Sequence, residues 1–262
     1  MAHPLDGARL KIVRAQEHID SLKAEIATYL DKRPYEISTQ ITGDPPLRMP
    51  VTTIPPPLRL STIIGDFVTN VRASLDYIVW ELAVRYFSPA FDASDSNDRR
   101  ITAFPICDSP ADPWYVDRLN RLAKRGIPTP AIDEIKTMQP HNRGYESLRW
   151  LRELVNTDKH RMPILTISYV PFFVYGRDAD GRIYPVPHWG AGRKTTPTPD
   201  EIKAMVMEHQ VSIHVTFQDV TMPRQPVDLT LEQIIKTAAN IIACFDKFFA
   251  GHTPIVSAIV LN

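Results

Sequence analysis

The chain has 262 residues, of which 44% are hydrophobic, and this length and composition suit one large domain or two small ones with a sizeable core. Its 30 basic and 30 acidic side chains cancel, which argues against a strongly basic coat for DNA while leaving room for a local basic patch. Two cysteines are too few for a disulfide framework or a cysteine zinc site. No run reaches the ~20 apolar residues that a membrane helix needs. The sequence therefore predicts a cytoplasmic protein outside the membrane.

The first third of the chain predicts two long helices joined by an extended connection. Apolar residues recur at helical spacing over residues 5–31 and again over 61–87. Between them, the alternating segment 35–42 predicts a strand, and the proline-rich segment 43–57 predicts a short edge strand at its end. The sequence leaves open whether segment 43–57 caps the helices or contacts a partner.

The middle of the chain predicts a polar loop over 88–110, short helices over 113–125 and 131–138, and a third long helix over 145–161. The buried stripe of this third long helix is marked by apolar residues at helical spacing: Leu148, Leu151, Leu154 and Val155. Met162 and Pro163 end the helix, because proline cannot continue its hydrogen-bond ladder.

Beyond Pro163 the pattern changes from helix to strand. Residues 164–175 predict a strand, 182–186 its hairpin partner and 210–218 a further strand. A capping box formed by Thr230 and Gln233 then predicts the start of the last long helix, in which Cys244 is expected to be a small core residue.

Together these elements predict an α+β fold that is mainly α. Its expected architecture is a four-long-helix bundle with a small antiparallel β-sheet inserted between the third and fourth long helices. The chain is expected to form a single domain over 1–262, with the helical bundle at 1–162 and 229–251 and the β insertion at 163–219.

The end of the third long helix holds the densest set of chemically capable side chains. Arg152, Asn156 and His160 are spaced four apart, which places them on one face of the helix. Cations in a last turn also complement the helix dipole, so a purely structural interpretation stands beside a groove that binds or cleaves a ligand. The same end is crowded by three further charged residues: Asp158, Lys159 and Arg161.

The second long helix carries a polar flank that suits the other wall of such a site. Asp66 and Asn70 are four residues apart, as are Arg72 and Asp76. The simpler interpretation is a solvated flank with a local ion pair, which contributes only ~0.3–0.5 kcal/mol.

Motifs for cofactor chemistry are missing from the sequence. It has no glycine-rich phosphate loop, no Gly-x-Ser-x-Gly elbow and no His-Glu-x-x-His pair. The paired Glu-x-x-His motifs of a ferritin-like metal centre are missing as well. The sequence therefore predicts neither a cofactor nor a metal site.

Four motifs occur in order along the chain: GDFVTNVRASLDYIVWELA at 65–83, FPI at 104–106, QP at 139–140 and NTDKHR at 156–161. As a set they resemble a widespread bacterial family of uncharacterised proteins, and the resemblance covers most of the first 165 residues. It implies that one site is shared by residues of two helices: Asn70, Arg72, Asp76, Asn156, Asp158, Lys159, His160 and Arg161.

The chain is more distantly similar to HEPN domains, helical bundles of which many are metal-independent ribonucleases. This similarity implies a homodimer in which His160 is the general acid/base for attack of a 2′-hydroxyl on its phosphate. Arg152, together with Arg161, would stabilise the phosphorane, and Asn156 would orient the phosphate.

The competing hypothesis is a non-enzymatic binding or regulatory module with a protein or RNA partner. In that case the second and third long helices are held together by a network of polar side chains that hydrogen-bond or pair with one another. Its members are Arg72, Asp76, Asp158 and His160. The sequence favours this second class but leaves open whether the protein is an enzyme.

Overall fold

A computed structural model describes residues 3–37, 51–177, 183–186, 208–219, 221–223 and 225–249. Its helices are α1 (Asp6–Asp31), α2 (Leu58–Tyr86), α3 (Ser96–Ile101), α4 (Pro113–Lys124), α5 (Thr129–Thr137), α6 (Ser147–His160) and α7 (Val227–Phe245), the last continued by a 3-10 turn over Asp246–Phe249. Its strands are β1 (Tyr35–Ile37), β2 (Val51–Thr53), β3 (Leu165–Arg177), β4 (Ile183–Val186) and β5 (Glu208–Phe217). The chain is thus mainly helical with small antiparallel sheets, as the sequence predicted.

The helix α2 lies at the centre of the core and contacts α1, α6 and α7. Its apolar residues recur every three or four positions, so that one broad stripe turns away from water. Phe67, Val71 and Leu75 on this stripe are completely buried. Each such side chain contributes roughly 1.5–3 kcal/mol on burial, so the three-to-four spacing of apolar residues is what holds α2 among its neighbours.

The helices α6 and α7 also pack against each other, and α1 contacts α7. Their inward residues are those that the helical spacing picks out, including Leu148, Leu151 and Leu154 on α6. The apolar stripe of α6 therefore turns its polar residues toward the flanks of the helix, where the candidate site lies.

The described strands form two separate antiparallel sheets. β1 pairs with β2, with Tyr35 opposite Thr53. In the second sheet β3 lies between β4 and β5, and Leu165 pairs with Phe217. The register of β3 shifts between Pro171 and Val174 because proline cannot donate to a ladder. The part of the predicted strand 35–42 that follows Ile37 lies outside the described residues, whereas the short edge strand predicted at the end of segment 43–57 is β2.

Three local predictions are wrong. Residues Ser96–Ile101 form a helix inside the predicted loop, because the Asp95 carboxylate accepts the Asn97 N–H and caps it. The last long helix begins one turn before the predicted capping box, at Val227, and the Thr230 hydroxyl instead donates to the carbonyl of Pro226. Cys244 is exposed, because it lies on the outer side of α7.

Candidate functional site

The site lies between α2 and α6, which run in opposite directions. Near one end, the Ser61 hydroxyl donates to the carbonyl of Pro163 at 2.7 Å. One turn further along α2, Gly65 lies directly against the side chain of Asp158. Two turns further still, Arg72 lines the same cavity as Arg152.

This cavity has a volume of about 360 Å³ and is bounded by α2, α6, the start of α4 and the extended segment 104–108. We call it the α2–α6 cavity. Its polar lining comes from Arg72, Arg152, Asn156 and Lys159. Its apolar lining comes from side chains of three elements: Phe104, Ile106, Trp114 and Val155.

Arg72 and Asp76 hold both backbone polar groups of Phe104. The Asp76 carboxylate accepts the Phe104 N–H at 2.8 Å, and Arg72 Nη2 donates to the Phe104 carbonyl at 2.6 Å. The two side chains also pair with each other at 2.8 Å. Burial raises the pKa of Asp76, against the opposing effects of Arg72, the Phe104 N–H and Lys159. The i,i+4 pair is therefore a clamp on segment 104–108.

Gln139 holds the same segment from the other side. Its side chain is completely buried, and Nε2 donates to the carbonyls of Pro105 at 2.9 Å and Ile135 at 2.8 Å. Its Oε1 accepts the Cys107 N–H at 2.9 Å. The FPI and QP motifs are therefore in direct contact, and together they fix segment 104–108, which lines the α2–α6 cavity.

Arg152 is anchored by carboxylates on two sides. Its Nη2 donates to Asp108 at 2.6 Å and to Glu153 at 2.9 Å, and Arg149 donates to the other oxygen of Asp108 at 2.9 Å. Burial raises the pKa of Asp108, but the bonds from both arginines outweigh it and lower this pKa below its usual range. Burial lowers the pKa of Arg152, but its bonds to Glu153 and Asp108 outweigh that and raise it. Arg152 is therefore a fixed cation.

The structure brings together five of the residues that the sequence selected. Arg72, Arg152, Asn156 and Lys159 line the α2–α6 cavity, and Asp76 is bonded to Arg72 beside it. A helix turns once every 3.6 residues, so Lys159, seven residues after Arg152, returns to the same face.

Two of the other predicted residues lie at the end of α6. His160, eight residues after Arg152, is rotated off the face that lines the cavity and is exposed. Asp158 faces Gly65, and among the described residues it makes no hydrogen bond or ion pair with Arg72, Asp76 or His160. The predicted four-residue network is therefore wrong, because only the Arg72–Asp76 half of it forms.

The remaining two residues face other neighbours. Asn70 turns toward α1, where it accepts from Lys11 Nζ at 3.2 Å and donates to the Asp66 carbonyl at 2.8 Å. Arg161 lies 3.8 Å from Asp219 and lines a separate cavity of about 220 Å³ below the three-stranded sheet.

The sequence reasoning missed two residues at or beside the cavity: Trp114, which lines it, and Asp108, which anchors Arg152. Asp108 follows the FPI motif, but nothing local in the sequence shows that it meets Arg149 and Arg152. Trp114 lies in the first turn of the predicted helix 113–125, and it is 52% exposed beside the cavity. Its position next to Asp112, which caps α4, places it at the cavity edge.

No family model, no curated protein and no solved structure matches this chain. Within the described residues, no group of three or more His, Cys, Asp and Glu side chains is arranged to hold a metal ion. None of the described helices is both long and apolar enough to cross a membrane.

Proposed function

We propose that this protein is a non-enzymatic binding or regulatory module. In this proposal the four longest helices form one bundle in a single domain, and the polar cluster between α2 and α6 shapes a ligand cavity. One observation carries the proposal: the two cavity arginines are bonded to carboxylates and, in the case of Arg72, to a backbone carbonyl, whereas His160 is exposed outside the cavity that Arg152 lines.

The arrangement of donors suits binding better than proton transfer. A general acid/base must lie within ~2.6–3.2 Å of the proton that it moves, or reach it through one water. The described side chains lining the α2–α6 cavity include no histidine, and the carboxylate among them, Asp112, accepts backbone N–H groups at the start of α4. Fixed cations without a positioned base support recognition of a ligand.

Ribonuclease activity through Arg152 and His160 is the competing function, and the two are separated by one paired experiment. Wild type and His160→Ala are assayed for cleavage of a mixed RNA pool with EDTA present, and both are unfolded thermally. The proposal expects no cleavage by either protein and a melting temperature within ~2 °C of wild type for the variant. His18→Ala, a partly buried histidine on α1, is the matched control.

The proposal is overturned by metal-independent cleavage in wild type that disappears in a folded His160→Ala while His18→Ala retains it. In that case His160 would act on substrate despite its exposure, and the ribonuclease hypothesis would replace the binding module.

A further inference from the structure

The cavity chemistry points to a ligand class, and we propose that the α2–α6 cavity binds a small organic anion that carries a flat aromatic ring. This inference rests on the proposed binding function and specifies its ligand. Three features carry it: unused donors on fixed arginines, a lysine that forms no ion pair with a described carboxylate, and an exposed aromatic side chain at the cavity edge.

Both cavity arginines keep free N–H groups after their structural bonds are made. Arginine has five N–H donors. Arg72 uses Nε and Nη2 for Asp76 and Phe104, and in the described part of the chain its Nη1 has no partner. Arg152 uses only Nη2, which leaves Nε and Nη1 without a described partner. These donors suit the oxygens of a carboxylate or phosphate.

The fixed position of these arginines favours binding. A flexible arginine loses side-chain freedom when it closes on a ligand, at a cost of roughly 0.5–1.5 kcal/mol. Asp76 and Phe104 already hold Arg72, and Asp108 already holds Arg152. Much of the side-chain freedom is therefore lost before a ligand binds, and binding loses less entropy. The cavity is thus preorganised for an anion.

Lys159 adds a third cation to the cavity lining, which also holds the carboxylate of Asp112. Asp76 pairs with Arg72, and Asp108 pairs with Arg152. Lys159 forms no ion pair with any described carboxylate, although it lines the cavity and is exposed. An anion bound between the two arginines would therefore gain a third cation that forms no ion pair with a described carboxylate.

Trp114 provides the surface for a ring. It is 52% exposed at the cavity, and the Arg118 guanidinium lies 5.4 Å from its ring centroid. The guanidinium lies over one face of the indole, and Trp114 also lines the cavity, so its exposed surface there is available to a flat ligand. Val155, which is partly buried on α6, adds apolar surface to the cavity lining.

The cavity volume limits the size of the ligand. At about 360 Å³ the cavity lies at the lower end of the ~300–1,000 Å³ range of small-molecule sites. It therefore accommodates one ring system with one anionic group, and the equal numbers of basic and acidic residues give no broad attraction for a long polyanion.

The test is calorimetric titration of the full chain with matched probes. 2-Naphthoate and 2-naphthyl phosphate combine a flat ring with a carboxylate or a phosphate. 2-Naphthamide keeps the ring without the charge, and acetate and inorganic phosphate keep the charge without the ring. We expect at least one charged naphthyl probe to bind ten-fold or more tightly than naphthamide and than its ring-free anion, and the stronger of the two identifies the anionic group.

Two variants separate the contributions. Lys159→Ala is expected to weaken the charged naphthyl probe about ten-fold and to leave naphthamide unchanged, because only the charge loses a partner. Trp114→Ala is expected to weaken both ring probes. Lys124→Ala removes an exposed lysine at the far end of α4 and is expected to change nothing.

The ligand class is overturned if no naphthyl anion binds, if naphthamide binds equally well, or if Lys124→Ala weakens binding as much as Lys159→Ala. Any of these results without RNA cleavage leaves the proposed binding function intact. Cleavage that depends on His160 overturns the proposed function instead, so the two failures are distinguishable.

Discussion

The middle and the end of the α2–α6 contact are built differently. In the middle, Arg72 and Asp76 bond to each other and to both backbone groups of Phe104. At the end, Asp158 lies against Gly65, and His160 is exposed to solvent. Both regions are rich in polar side chains, yet only the middle forms a bonded network.

This difference shows that density of charged residues along a sequence does not locate a network. A buried polar group must find partners or lose a large part of its solvation energy, so polar side chains become fixed where backbone groups from another segment need them. Segment 104–108 supplies such groups in the middle of the contact. At the end of α6 no described backbone group bonds to the side chain of Asp158 or His160, and His160 is left exposed to solvent.

The largest effect is expected from Gln139→Ala, because Gln139 fixes segment 104–108 from the side opposite α2. The change removes three hydrogen bonds from a completely buried side chain and leaves their backbone partners unsatisfied. We expect the free energy of unfolding to fall by about 3 kcal/mol, and the melting temperature by roughly 6–12 °C.

Gln16→Ala is the control for that change, since Gln16 makes its bond to Asp20 in solvent on α1. Its unfolding free energy is expected to stay within ~0.5 kcal/mol of wild type. Equal effects of the two substitutions in thermal unfolding would show that segment 104–108 is not held as described.

The next effect is expected from Arg72→Ala, which removes one half of the clamp on Phe104. The free energy of unfolding should fall by about 1–2 kcal/mol at neutral pH, because Asp76 and the Phe104 carbonyl lose a charged partner. Arg121→Ala, which breaks an exposed i,i+4 pair with Asp117 on α4, is the matched control and should cost under ~0.5 kcal/mol.

The same variant has a pH signature. A carboxyl whose pKa is higher in the folded than in the unfolded chain favours folding below its unfolded pKa, and this contribution is lost as pH rises through the folded pKa. Asp76 is such a group, and Arg72 opposes its shift. Removing Arg72 therefore raises the pKa of Asp76 further. The loss in the free energy of unfolding caused by Arg72→Ala, measured by urea unfolding, should be larger at pH 7 than at about pH 4. A deficit that is independent of pH would contradict the coupling.

A smaller effect is expected from Gly65→Ala at the end of the contact. Alanine favours a helix interior over glycine by about 0.5–1 kcal/mol, but its methyl group would overlap Asp158 Oδ1 and lie 3.1 Å from Asp158 Cγ. In the Asp158→Ala protein, the substitution should therefore raise the free energy of unfolding by the full value of about 0.5–1 kcal/mol. In wild type the gain in the free energy of unfolding should be clearly smaller.

Chemical unfolding of the four proteins in this cycle measures the coupling between the two positions. We expect a coupling of about 0.5–1 kcal/mol, with Asp158→Ala alone nearly neutral, because Asp158 makes no hydrogen bond among the described residues. Purely additive effects would show that the side chain of Asp158 does not rest on Gly65.

The smallest effect is expected from His160→Ala. An exposed side chain without a described partner contributes within ~0.5 kcal/mol to stability. Differential scanning calorimetry should give a melting temperature within ~2 °C of wild type. A drop as large as that of Arg72→Ala would mean that His160 belongs to the bonded middle of the contact after all.

The sequence was a good guide to the long helices and a poor guide to their polar contacts. The three-to-four spacing of apolar residues located α2 and α6 closely, because that spacing is a local property. It missed α3, whose six residues are too few for a periodic pattern, although Asp95 supplied the cap. The sequence located only part of the site. Arg152 and Asn156 line one cavity with Arg72, but His160 lies outside it.

The sequence by itself determined the mainly helical fold, the positions of its strands along the chain and the helices that carry the candidate residues, since these depend on neighbours along the chain. Only the tertiary structure decided which polar face of α6 meets α2. Segment 104–108, fixed by Gln139 and Asp76, packs beside Arg152 and Lys159 and leaves His160 outside. That choice depends on hydrogen bonds between residues more than 25 positions apart, which no local pattern records.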